Sequence, residues 1–254
     1  ARHLARINAT TCLEPVVADL TATNAPDLLA GVDVIIDGTD NLEARYLVNE
    51  VACRNATPWV HGGAIGAEGR VLTVIPGRTA CLRCLVPEPP PPGTLPTCDT
   101  AGILGPAAVV VGAVQAAEAI KLLIGAAEPT AGRMLAFDLW SGQWRSIDLE
   151  PLAKAGCPTC RAGDYPWLEG RLGATPTPLC GREAVQVPAV VGGRVDLAAV
   201  AARLAALGAV ESNEWILRAE VEPGIQLSVF ADGRAIVRGT RNESRARAIV
   251  ARYL

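Results

Sequence analysis

Lysine, methionine and aromatic side chains are scarce in this sequence. Among 254 residues there are two lysines, one methionine, two phenylalanines and three tyrosines, and aromatic residues make up only 4% of the chain. The 23 Lys and Arg residues face 26 acidic ones, a net charge of −3, so there is no polycation for nucleic acid or an anionic membrane. Charged residues are themselves few, at 19%, while half the chain is hydrophobic and the mean hydropathy is +0.27. That balance excludes a disordered polymer. The opening residues are not expected to be a targeting segment. It begins Ala1-Arg2-His3-Leu4 and its one methionine is Met134, so we expect a natural start upstream.

A membrane span is the next class to test. From Thr100 to Ala117 eighteen consecutive residues carry no charge, just long enough to raise the question. Gly102, Gly105, Pro106 and Gly112 interrupt that run, and Gln115, Glu118 and Lys121 recur every three residues as a polar stripe. The expectation is a core or interface helix in a soluble, cytoplasmic protein.

What the sequence does have is cysteine: Cys12, Cys53, Cys81, Cys84, Cys98, Cys157, Cys160 and Cys180. Without a secretory signal, and at this length, a disulfide framework is not the first reading. Four of the eight form two knuckles, Cys81-Leu-Arg-Cys84 and Cys157-Pro-Thr-Cys160, with 72 residues between them. Two such pairs supply the four thiolates of a tetrahedral zinc site, which would clip distant segments together as a structural, non-catalytic metal. The competing reading makes one pair a redox dithiol and the other incidental.

Strand and helix patterns alternate through the first part. The run 32–37, Val-Asp-Val-Ile-Ile-Asp, reads as a buried parallel strand, followed by a helix over about 41–55. Further strands are expected at 58–61, 70–75, 135–139 and 144–149, with a long helix over about 106–123. Pro166, Pro176 and Pro178 with several glycines mark residues 161–180 as a linker. Beyond it, Asp196 opens a helix, residues 215–221 alternate as a strand, and Asp232-Gly233 is a hairpin turn ahead of a final helix. Charge divides as 13 basic and 18 acidic residues over 1–179 (−5), then 10 and 8 over 180–254 (+2).

Two smaller constellations carry chemistry. Asp37-Gly38-Thr39-Asp40-Asn41 stands at the C-terminal end of the apolar strand, where open α/β sheets bind ligands. A carboxylate at Asp40 would hold a magnesium ion bridging nucleotide phosphates; alternatively, Asp40 with Glu43 three residues on is a capping box. Cys98 follows the proline-rich stretch 87–93 and is a candidate nucleophile on an exposed loop, or else a small buried residue. His61, in a strand before Gly62-Gly63, has no evident partner and is read as structural.

Taken together these stretches resemble the ThiF/MoeB/HesA family, the ubiquitin-activating-type adenylating enzymes of sulfur-carrier proteins. The resemblance rests on residues 37–41 with Arg45 and Asn49, on Pro58-Trp-Val-His-Gly-Gly-Ala64, and on both knuckles. It extends through Thr97-Cys98-Asp-Thr-Ala-Gly102 and Gln115-Ala-Ala-Glu118, in order, over about residues 1–160. It implies a Rossmann-like α/β fold with a mostly parallel sheet (its N-terminal half incomplete), clipped by zinc and followed by a small α+β domain. The expected divisions are 1–160, a linker at 161–180, and 181–254. The implied activity is Mg·ATP-dependent adenylation of the terminal glycine of a ubiquitin-like carrier ending in Gly-Gly, leading to a thiocarboxylate for thiamine or molybdopterin synthesis. Asp40 would bind magnesium, Asn41 would lie at the nucleotide, and Cys98 would serve acyl or sulfur transfer. A homodimer and a persulfide sulfur donor are implied as well, with no nucleic acid and no membrane as partners. The family's glycine-rich phosphate loop is expected before His3, so the activity is expected of the full-length parent, and this chain alone is expected to be inactive. The alternatives are an inactive relative or fragment that docks carriers, and a zinc-stabilised structural protein in which Asp40 only caps a helix.

Overall fold

The computed structural model describes residues 1–90, 101–126, 131–153, 156–173, 177–179, 183–188 and 195–254. These residues form two compact units. One runs over residues 20–173; the other gathers 1–19 with the described residues from 177 onward.

Helix α1 (Arg2–Ile7) belongs to the second unit; in the first, short helix α2 (Ala25–Leu28) precedes β1 (Ile35–Asp37), which ends the apolar run, and α3 (Leu42–Asn55) follows. Strands β2 (Trp59–Ile65) and β3 (Glu68–Val74), helices α4 (Leu82–Leu85) and α5 (Gly105–Leu123), strands β4 (Arg133–Asp138) and β5 (Gln143–Asp148) and helix α6 (Glu150–Ala153) complete it. The sheet order is β1-β2-β3-β4-β5. The sheet is mixed: β1 and β2 pair in parallel, whereas β2-β3, β3-β4 and β4-β5 are antiparallel. The mostly parallel arrangement expected from sequence therefore holds at β1-β2 and gives way beyond it. Only two residues separate β2 from β3, too few for the helical crossover that parallel pairing needs.

Helix α5 satisfies the length and composition of a membrane span. It lies instead against β2 and β3, with Ala107, Val111, Gln115, Glu118 and Ala119 buried. Ala107 and Val111 join Val60, Val71 and Phe137 in one core cluster. Gln115 and Glu118 are hydrogen-bonded within that packing, so the polar stripe read from sequence is the sheet-facing side. Gly69 sits opposite Phe137, where a Cβ would come within 2.1 Å of the ring; glycine is what lets the phenylalanine lie over the sheet.

The second unit is a six-stranded antiparallel sheet of order β6-β7-β11-β10-β9-β8. Its strands are β6 (Thr177–Leu179), β7 (Ala184–Val187), β8 (Val210–Ser212), β9 (Ile216–Glu222), β10 (Ile225–Phe230) and β11 (Ala235–Arg238). Helices α7 (Leu197–Leu204) and α8 (Glu243–Tyr253) pack on it, around Leu217, Leu227, Val229, Val237 and Ile249. Asp196 caps α7 through the amides of Ala198 and Ala199, as its position in the sequence implies.

The unit boundaries depart from those read along the sequence. Residues 1–19 belong with the second unit, where Asp19 accepts a 3.0 Å hydrogen bond from Gln186 Nε2 and lies 3.9 Å from Arg234. The expected linker is, over 161–173, part of the first unit. There Tyr165, Trp167 and Leu168 pack on Leu47 and Val51 of α3, and Trp167 stacks on Tyr46 at 5.2 Å. Proline and glycine set turns in this stretch, but its two aromatics and Leu168 supply apolar surface to bury.

Candidate active site and metal centre

The candidate active site lies where β1 ends. The parallel register places Asp37 of β1 directly beside His61 of β2. Asp37 is 2% exposed; its Oδ1 accepts the Thr39 amide at 2.8 Å and its Oδ2 lies 2.7 Å from His61 Nδ1. Burial pushes this carboxyl up, but the interaction with His61, together with the Thr39 amide, outweighs it. Asp37 is thus held below the usual carboxylate range, and His61 Nδ1 is the donor. Arg45 of α3 donates to the Thr39 carbonyl at 2.7 Å. Gln115 of α5 donates from Nε2 to the carbonyls of Asp37 (2.7 Å) and Val60 (3.0 Å).

Helix α3 is capped by Asn41, not by Asp40. Asn41 is extended at the N-cap and its Oδ1 accepts the Ala44 amide at 2.8 Å. Asp40 stands one residue earlier, exposed, and no described residue hydrogen-bonds its carboxylate. Its capping role is therefore excluded, and an acidic group is left facing solvent at the carboxyl end of paired parallel strands. Cys98 lies outside the described residues. The sequence reading missed His61 and Asp37 as a pair; equal positions in two adjacent parallel strands were the available signal.

The four knuckle cysteines converge. Cys81 Sγ is 3.9 Å from Cys84 Sγ and 3.7 Å from Cys157 Sγ, and Cys84 Sγ is 3.5 Å from Cys160 Sγ. All four sulfurs lie within 4.8 Å of one another. A tetrahedron with Zn–S bonds of about 2.3 Å has sulfurs about 3.8 Å apart, whereas a disulfide needs about 2 Å. The spacing and the all-thiol donor set fit zinc. The crowding of these sulfurs pushes the Cys81 thiol down and the Cys84 and Cys160 thiols up, as one thiolate is shared among its neighbours.

Local structure sets this geometry. Asn49 of α3 accepts the Leu82 amide at 2.9 Å, fixing the first knuckle to the helix that begins at the candidate active site. Arg83 donates to Thr159 Oγ1 at 3.1 Å, and Arg161 to the carbonyls of Ala153 and Gly77, tying the second knuckle down.

Beyond the second knuckle, Glu50 of α3 is fully buried and accepts the Leu168 amide at 2.8 Å. Burial pushes its carboxyl up to about 7, against the partial relief of the Leu168 amide and Arg83. Its proton is held more tightly folded than unfolded, so stability falls as pH rises from 4.5 toward 7 and the loss is complete above that. Glu50→Gln, whose carbonyl still accepts from Leu168, is expected to stabilise the protein at pH 8 by about 1–3 kcal/mol and to change little at pH 4.5. Urea denaturation of both proteins at the two pH values checks this.

Mixed α/β layering, a polar site at parallel strand ends and a four-cysteine clip together define the class. The chain belongs to the ThiF family, whose model matches residues 1–159. It is 34% identical over all 254 residues to the sulfur carrier protein ThiS adenylyltransferase of Bacillus subtilis, spanning 74% of that protein. It is 37% identical over 163 residues to the SAMP-activating enzyme E1 of Haloferax volcanii, covering 64% of this chain and 59% of that one. With the sulfur carrier protein adenylyltransferase of Thermus thermophilus it shares 36% over 170 residues, 65% of this chain and 61% of the relative. Its enzyme class is adenylyltransferase. Among solved structures, Escherichia coli MccB bound to MccA-N7isoASN superposes with a TM-score of 0.53 at 16% identity, over 63% of this chain and 49% of that one. That likeness shows the fold alone.

Proposed function

We propose that the protein adenylates the C-terminal glycine of a ubiquitin-like sulfur carrier at the loop 37–41. A carboxylate oxygen of the carrier's terminal glycine attacks the α-phosphorus of Mg·ATP. The bond to the β-phosphate oxygen breaks, pyrophosphate leaves, and the acyl-adenylate forms. The terminal sulfur of a persulfide then displaces AMP to give an acyl disulfide, and a second thiol attacks the donor's sulfur, cleaving the S–S bond to release the thiocarboxylate and leave a disulfide. Asp40 binds the magnesium of the nucleotide complex, Asn41 borders the nucleotide while capping α3, and the protein mainly positions reactants and neutralises phosphate charge. Cys98 is assigned to acyl or sulfur transfer, with a persulfide protein as sulfur source.

The observation that carries this reading is the exposed Asp40 carboxylate, relieved of capping by Asn41. The thiamine branch is favoured over molybdopterin. The match to the ThiS adenylyltransferase runs the full 254 residues, whereas the Haloferax and Thermus matches span about two thirds of the chain. Zinc held by Cys81, Cys84, Cys157 and Cys160 would supply structural cross-linking. Six described cysteines are unpaired, which suits a reducing, cytoplasmic setting. The face of α5 turned from the sheet exposes Val109, Ile120 and Leu123, an apolar strip suited to a homodimer.

ATP–pyrophosphate exchange by the full natural protein tests the reading. Exchange should depend on a carrier ending in Gly-Gly, and should be faster with a ThiS-type carrier than with a MoaD-type one. Carrier binding without exchange would instead make the protein a docking module. Sedimentation as a monomer would remove the dimer.

A further inference from the structure

We propose that His61 is a positioning residue that holds the Asp40-bearing loop through Asp37. The proposal rests on the reading of that loop as the nucleotide site. Asp40 makes no hydrogen bond of its own to a described residue, so its place is set by its neighbours in the chain. On one side stands Asn41, fixed as the cap of α3. On the other side, residues 37–39 are held by three elements at once. His61 of β2 binds the Asp37 carboxylate, Gln115 of α5 binds the Asp37 carbonyl, and Arg45 of α3 binds the Thr39 carbonyl. The Asp37 carboxylate in turn receives the Thr39 amide, one residue from Asp40.

His61 is the keystone of this set because it holds the orienting carboxylate. Gln115 and Arg45 hold backbone carbonyls directly, but the Thr39 amide is held only as firmly as Asp37 is aimed. Without the imidazole, Asp37 keeps one donor on Oδ1 and loses the partner on Oδ2, leaving a buried carboxylate free to turn toward water. Arg45 Nε, 3.9 Å away, is too far to replace that bond. The local sequence is shaped around the clamp. Gly62 follows His61, and a Cβ there would fall 2.4 Å from the Gln115 amide carbon, so glycine admits the glutamine that joins β1 and β2.

The test is a matched pair of variants. His61→Ala removes the donor, while His61→Asn keeps an N–H near the position of Nδ1. In the alanine variant the Thr39 amide should exchange its hydrogen at least about tenfold faster than in the wild type, and asparagine should restore most of the protection. The chain has two histidines, His3 and His61, so imidazole nitrogen spectra are simple to assign. His61 should appear as the Nδ1–H tautomer, and that signature should be lost in Asp37→Asn. In the full natural protein, His61→Ala should raise KM for Mg·ATP about tenfold, with kcat for exchange changed by less than about threefold.

An Nε2–H tautomer at His61, or Thr39 exchange unchanged in a folded alanine variant, overturns the proposal. Should the alanine variant fail to fold, asparagine decides: wild-type Thr39 protection and KM support the clamp, and loss of both in a folded protein refutes it. If the wild-type natural protein binds no Mg·ATP, the function falls while the tautomer and exchange results still decide the clamp.

Discussion

Replacing Cys84 and Cys160 together with serine is expected to remove one zinc per chain and to unfold residues 20–173. The sulfurs at 3.5–3.9 Å already stand near tetrahedral spacing, so metal binding needs little rearrangement. The two knuckles close a loop of 72 residues, and cross-linking a loop of that length is worth about 4 kcal/mol in chain entropy alone. Zinc in small cysteine-ligated domains contributes apparent binding energies of about 10–16 kcal/mol. Net stabilities are about 5–15 kcal/mol, so loss of the metal removes most or all of the margin. Cys81 and Cys157 are themselves part of a buried cluster with Val48, Trp59 and Leu72, so a metal held by them would be tied to the core of this unit. Elemental analysis with circular-dichroism melting checks the result, and a strong chelator should reproduce it in the wild type. Cys53 packs beside this cluster without belonging to the four-sulfur group, and Cys53→Ser should keep the zinc. A wild-type protein that is folded and free of metal would refute the assignment.

The parts of the structure legible in the sequence are those set by local chemistry. Apolar spacing marked α3 and α5, Asp196 marked the start of α7, and Asp232-Gly233 marked the turn between β10 and β11. The knuckles were readable because cysteine in that spacing has few uses. What could not be read depends on pairing across the chain. His61 looked idle because its partner lies 24 residues away and meets it only through the parallel register. The cap shifted from Asp40 to Asn41 because either side chain can accept an amide, and the turn held by Asp37 and Thr39 decides which one reaches it. Residues 161–173 looked like a linker because their prolines and glycines are local signals, whereas the surface that Trp167 and Leu168 cover belongs to α3. The antiparallel strands β3 to β5 were recognised singly, but alternation alone does not state direction.

Asp40→Ala in the full natural protein is expected to lower ATP–pyrophosphate exchange at least about a hundredfold while leaving stability within about 0.5 kcal/mol of the wild type. The two halves of this prediction separate two roles for one carboxylate. If Asp40 capped α3, alanine would cost about 1 kcal/mol of stability, and the activity loss would follow from a frayed helix. The cap is Asn41, so that cost should fall on Asn41→Ala instead. An exposed acid with no described hydrogen-bond partner has little to lose when the protein is at rest. On the proposed reading, what it would lose is the charge that meets a divalent cation at the phosphates, where the developing negative charge on pyrophosphate must be offset. Asp40→Asn should resemble alanine in activity, because a neutral amide supplies an oxygen but not the charge. Thermal melts and exchange rates on the three variants, with magnesium varied, give the comparison. Exchange that survives Asp40→Ala would leave the loop without its magnesium ligand and return residues 37–41 to a purely structural role.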